Sequence, residues 1–336
     1  MEENSDRIGY PKNMLWYYFL MEILFALDAV GALEVLKRTE KMSVRNLAQN
    51  LKCNEKMLEA MLTYLWLNTP FLKKTGDEYG LSKMAFVKPF QISINFGAAY
   101  RPVFANLAAL LKGELVYGKD INRDGSKLQL ASLKFTESAI PAIMRGLSSK
   151  NINTLVDLGC GSAELLIRSC EAHEKMMGIG VDIDPQTVAV ARENVLKRGL
   201  RDRITIVECD LRDIEKIRNA CPAEGKIAFS AVGILHEILR DGDAAVVKLI
   251  NEFKRAFPDS TFFVAEFNAL SPDELRAMPD ETFRQMASCY QLIHPLSLQG
   301  DPRPVSGWKK IFTDVGAKLE SFDSLEDNFV LYTLAL

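Results

Sequence analysis

Three carboxylates recur where apolar runs end in the second half of the chain. Asp157 stands inside Leu155-Val156-Asp157-Leu158-Gly159-Cys160-Gly161-Ser162-Ala163, Asp182 follows Ile179-Gly180-Val181, and Asp210 follows Ile204-Thr205-Ile206-Val207-Glu208-Cys209. Each run reads as a buried strand, and the first passes through a glycine turn into a helix. A helix start offers unpaired N–H groups and partial positive charge. Gly159 and Gly161 let that backbone approach a ligand that a side chain would displace. The same device serves pyrophosphates, so the discriminator is Asp157. A carboxylate in the first loop repels a pyrophosphate and favours a cationic amino-acid portion, which selects S-adenosylmethionine over NAD. Asp182 is then placed to accept both ribose hydroxyls. Asp210 is placed to accept from the adenine amino group, with Leu211 packed on the ring. Asp184, just before Pro185, reads as a helix cap.

A second group of residues has the chemistry to act on an acceptor. The chain holds three histidines, at 173, 236 and 294. His236 and Glu237 follow the apolar run Ile227–Val232, at the strand end where open α/β sheets bind ligands. A neutral imidazole there suits general-base work near neutral pH. Glu266 closes the next strand and is placed to touch substrate or orient a ligand, or else to hydrogen-bond within the sheet edge. His173 lies in a polar run away from the strand ends and reads as surface.

These residues need a scaffold, and strand and helix patterns alternate from residue 151 onward. Strands are expected at 154–157, 178–182, 204–208, 227–232, 261–266, 317–322 and 328–334, a Rossmann-like α/β domain with a seven-stranded, mostly parallel sheet over 151–336. Residues 1–90 read as an α-helical, winged-helix-like domain. Ser43 caps a helix from Val44, Asn54 caps one from Glu55, and Phe71–Leu81 reads as a hairpin. Its second helix carries Lys56 against Glu55 and Glu59, too acidic for a phosphate-lined groove. Residues 91–150 read as a helical linker and active-site roof, with a helix over Ser132–Leu147 broken before Pro141.

Composition excludes several classes. With 41 basic against 44 acidic residues, the formal charge of -3 offers no field for nucleic acid or an anionic membrane. Met14–Phe25 is too short and too interrupted for a membrane span, and no signal sequence is read at the start. The six cysteines lack metal-ligand spacing and read as reduced thiols of a cytoplasmic protein.

On its Asp-x-Gly-x-Gly loop and its acids after the second and third strands, the segment 151–336 resembles the class I S-adenosylmethionine-dependent methyltransferases. Ala163 departs from the pattern, since many members have a third glycine there; it costs little if the backbone is helical. With its N-terminal domain, the chain resembles the small-molecule O-methyltransferases, whose dimerisation domain implies a homodimer. In that family the histidine of a His-Asp pair is the general base. His236 matches it, and Glu237 stands where the family has aspartate. A narrower resemblance is to the C-methyltransferases of 2-oxo acids, the group containing phenylpyruvate and 2-ketoarginine methyltransferases of peptide-antibiotic and modified-arginine pathways. That resemblance implies Fe(III) or another transition metal held by His236, Glu237 and His294, with Arg123 on the substrate carboxylate. The expected reaction is metal-assisted methylation at the β-carbon of a 2-oxo acid. The alternative is metal-independent O- or N-methylation with His236 as base.

Overall fold

A computed structural model describes residues 14–336; the first 13 residues of the expected N-terminal domain lie outside the described residues. Two compact units divide between Arg101 and Pro102. The boundary expected at residue 90 falls inside one helix, Lys88–Ala105.

In the first unit, helices Met14–Ala29, Ala32–Thr39, Val44–Leu51 and Glu55–Asn68 precede a small sheet of β1 (Met42–Ser43), β2 (Leu72–Thr75) and β3 (Glu78–Leu81), in the order β1-β3-β2. Leu20, Leu24 and Leu27 place one apolar stripe inward, and Leu58, Leu62 and Leu65 place another. The three- and four-residue spacing of both is helical. Ser43 Oγ accepts from the Asn46 amide and Asn54 Oδ1 from the Met57 amide, so both expected caps form.

The second unit is built on β4 (Thr154–Leu158), β5 (Met177–Asp182), β6 (Ile204–Glu208), β7 (Ile227–Val232), β8 (Thr261–Phe267), β9 (Lys318–Ser324) and β10 (Phe329–Ala335). Their order is β6-β5-β4-β7-β8-β10-β9. Neighbours from β6 through β8 are parallel, while β10 runs antiparallel to both β8 and β9. Strand period two divides the core into layers. Val156, Phe229, Phe262 and Val264 join one apolar cluster, whereas Leu155, Ala228, Phe263 and Ala265 join the other. With both faces covered, polar side chains that serve a ligand are confined to the strand ends. Upstream of β4, the helix expected over Ser132–Leu147 is interrupted before Pro141, as read: it is two helices, Gly125–Thr136 and Ala139–Ser149, with Pro141 in the second one's first turn.

The turn after β4 departs from expectation at Ala163. Its φ of 64° is left-handed, at the cap of helix Glu164–Ala172, so the backbone there is not right-handed helix. Such a conformation costs an L-residue about 1–2 kcal/mol. Glycine would remove that cost but would forfeit a fully buried methyl and gain unfolded-state entropy, together about 1–2 kcal/mol. The near-cancellation explains why alanine is tolerated. Ala163→Gly is expected to change unfolding free energy by less than about 1 kcal/mol in urea titration. A larger change in either direction would show that one term dominates.

Candidate active site

The carboxyl ends of β4, β5 and β6 gather the three acids. Asp157 and Ser230 are direct cross-strand partners on one face of β4 and β7, and Ser230 Oγ donates to Asp157 Oδ1 at 2.7 Å. Burial raises the Asp157 pKa; the Ser230 hydrogen bond opposes this and the Asp182 charge adds to it, leaving it at about 7. Asp182 accepts from the Gly161 amide at 3.1 Å and from the Asp184 amide at 3.1 Å. Its pKa is also raised, burial being the largest cause. Asp184 accepts from the Thr187 amide at 2.9 Å and caps helix Pro185–Lys197, as expected.

A cavity of about 380 Å³ runs along these ends and is lined by Gly159, Asp182, Asp210 and Leu211. A smaller one of about 100 Å³, lined by Asp157, Gly159 and Gly161, meets it at Gly159. Gly159 has φ 72°, and a Cβ there would lie 3.0 Å from Ile234 Cγ1, in the wall of the same cavity. All six cofactor residues expected from sequence therefore line these two spaces. The residues fit a nucleoside carrying a cationic amino acid: Asp182 and Asp210 offer carboxylate acceptors to the larger space, and Asp157 sets a carboxyl beside the glycine turn.

His236 lies on the short helix Leu235–Ile238 after β7 and is buried. The Gly233 amide still bonds the Ala265 carbonyl of β8 at 2.8 Å, so the chain leaves β7 directly over Glu266. Glu266, 2% exposed, accepts from the His236 amide at 3.2 Å and from His236 Nδ1 at 2.9 Å. Burial lowers the His236 pKa, but the charge and hydrogen bond of Glu266 outweigh it, and the net shift is upward.

Glu237 points the other way. Its Oε1 accepts from Arg123 Nη2 at 2.7 Å and from Gln299 Nε2 at 2.7 Å. Burial would raise the Glu237 pKa; Arg123 and His236 pull it down to about 2. Arg123 and Glu237 both line the 380 Å³ cavity. The loop bearing Gln299 is wedged here: a Cβ on Gly300 would lie 2.4 Å from the His236 carbonyl oxygen.

The expected metal site is not assembled. Among the described residues, no group of three His, Cys, Asp or Glu side chains could hold a metal ion. His236, Glu237 and His294 are neighbours, with the two imidazole centroids 4.9 Å apart. Glu237 Oε1, however, is engaged by Arg123 and Gln299 and stands 4.0 Å from His236 Nε2. His294 Nδ1 donates to the Tyr290 carbonyl at 2.6 Å, and its buried Nε2 has no hydrogen-bond partner. Burial and the neighbouring His236 push the His294 pKa down to about 3.

Sequence reading missed Ser230, Gln299 and Arg212, which donates to Asp210 through its amide, Nε and Nη2. Ser230 was findable only from strand register, and Gln299 lies 62 residues from its partner. Arg212 had a local signal, a cation two residues after Asp210.

Because Asp157 holds its proton up to about pH 7 in the free protein, a ligand ammonium is favoured as that proton leaves. Affinity for S-adenosylhomocysteine is expected to rise between about pH 6 and about pH 8 in calorimetry. The rise should vanish in Asp157→Asn; an identical pH dependence in that variant would assign the effect elsewhere.

Comparison with known proteins fits this geometry. Residues 155–256 match the family described as a methyltransferase domain. A methyltransferase of Aspergillus campestris, ungE', is 28% identical over 116 residues, 33% of this chain and 34% of that protein. The matched region thus spans about a third of that relative's length. An O-methyltransferase family protein from Burkholderia thailandensis superposes with a TM-score of 0.68 at 16% identity, covering 95% of both chains. The N,N-8-amino-8-demethyl-D-riboflavin dimethyltransferase of Streptomyces davawensis gives 0.65 at 15% identity, covering 96% of this chain and 98% of that one. Residues 155–256 are therefore similar to a methyltransferase domain, and the chain shares the fold of these two solved methyltransferases.

Proposed function

We propose that this protein is an S-adenosylmethionine-dependent methyltransferase acting on an oxygen or nitrogen of a small molecule, with His236 as the general base. The observation that carries the reading is the Glu266 grip on His236. With Nδ1 donating to Glu266 at 2.9 Å, the ring's acceptor is Nε2. The acceptor's proton moves to Nε2, and Glu266 stabilises the imidazolium that forms. S-adenosylmethionine, when bound, supplies an electrophilic methyl group. Asp157, Asp182 and Asp210 hold its cationic and nucleoside parts, and the Arg123–Glu237 pair borders the acceptor. The dimethylated amino-riboflavin named for the Streptomyces davawensis relative supports a small, ring-bearing acceptor as a class.

Metal-assisted C-methylation of a 2-oxo acid, as in antibiotic biosynthesis, is the second reading. It is favoured by one observation, the partnerless Nε2 of His294 beside His236. It requires Glu237 to leave Arg123 and Gln299. The free cysteines support a reducing, cytoplasmic setting. A homodimer through the N-terminal unit is supported by the exposed Leu15, Tyr17, Tyr18 and Phe19 of helix Met14–Ala29. Light scattering is expected to give twice the chain mass, and charged replacements at Leu15 and Tyr18 are expected to give monomers. A monomeric parent protein would refute the dimer.

With three histidines, NMR titration tests the base directly. The His236 resonance is expected to titrate above the ordinary value of about 6.5 and to move down in Glu266→Gln, while His294 stays neutral throughout the titration. With an accepted substrate, His236→Ala is expected to lower kcat by roughly 10²–10⁴-fold while S-adenosylhomocysteine affinity persists. Activity that survives stringent chelation supports the base reading, and activity lost on chelation and restored by iron supports the metal reading. Full activity in His236→Ala would defeat the proposed base.

A further inference from the structure

The carboxylate assigned to the adenine amino group is already held from one side. Arg212 donates three hydrogen bonds to Asp210: its amide and Nε to Oδ1, both at 2.9 Å, and Nη2 to Oδ2 at 2.6 Å. A carboxylate offers about four acceptor positions. The fork fills both on Oδ1 and one on Oδ2, so one remains. Asp210 and Arg212 line the same 380 Å³ cavity as Asp182 and Gly159.

The fork also spans two loops. Arg212 Nη1 stands 3.9 Å from Asp241, which follows β7, and Asp241 in turn stands 3.7 Å from Arg240 Nε. All four charged residues line the cavity, in the alternating order Asp210, Arg212, Asp241, Arg240. The longer contacts are exposed and add little stability. The Asp210 fork differs, because two parallel N–H donors fix the orientation of a carboxylate as well as its charge.

We infer that Arg212 is a positioning residue for the methyl donor, locking Asp210 so that its last acceptor position reads the 6-amino group of adenine. The inference rests on the proposed cofactor. Asp210 is a carboxylate, and the Arg212 hydrogen bond is the largest cause of its lowered pKa. An ionised carboxylate accepts and never donates, so it pairs with a 6-amino purine and repels a 6-oxo purine. Lysine provides charge without a fork and does not reproduce the fixed geometry.

The test compares Kd values for S-adenosylhomocysteine and S-inosylhomocysteine, which differ at position 6 of the purine. The parent protein is expected to prefer the adenosyl compound. Arg212→Ala is expected to weaken the adenosyl compound by about tenfold and the inosyl compound by less than about threefold, so the preference shrinks. Arg212→Lys is expected to fall with alanine in preference while retaining some affinity. Equal weakening of both ligands, no change in either, or tighter adenosyl binding in Arg212→Ala would overturn the inference while leaving the cofactor reading intact. A parent protein that binds neither ligand would overturn the cofactor reading and this inference with it. Arg212 is half exposed, its side chain 52% accessible, and circular dichroism of both variants should match the parent.

Discussion

Glu266 receives two hydrogen bonds from one residue, the backbone amide and the ring Nδ1 of His236, at the end of a strand that has no other room for charge. A buried carboxylate without such partners would lose far more in desolvation than it gains. The pairing therefore fixes the helix Leu235–Ile238, the ring orientation and the tautomer together. Glu237 then faces away from Glu266, and its acceptor oxygen goes to Arg123 and Gln299. One buried acid thus determines what the neighbouring acid can do.

The cofactor end follows a different physical rule. Its acids are spread over three adjacent parallel strands, and each is satisfied differently: Asp157 by a hydroxyl across the sheet, Asp182 by backbone amides, Asp210 by a guanidinium. Their ionisation diverges accordingly. Burial brings the Asp157 pKa up to about 7, whereas Arg212 lowers that of Asp210. Three chemically identical side chains are therefore suited to an ammonium, a diol and an aromatic amine.

The sheet and the cofactor acids were legible in the sequence because their signals are local. The seven expected strands match the seven observed nearly residue for residue, and the three acids sit at or just past the ends of three apolar ones. What was hidden depends on contacts between distant segments. Nothing in the order of residues says that Glu266 meets His236 30 positions away, or that Gln299 meets Glu237. The metal set illustrates the difference: its residues do come together, but the Glu237 carboxylate has another partner. Ala163 shows a subtler limit, since residue type alone did not disclose the handedness of its backbone.

Gly300 rests against the carbonyl of His236 at a distance that admits no side chain. The segment after helix Glu281–Leu296 is therefore mechanically joined to the helix that carries His236. In evolutionary terms, the two cannot diversify separately. A lineage that remodels this segment must keep a glycine at 300 or shift His236 with it, so changes in the segment and in the placement of that imidazole are inherited as a linked pair.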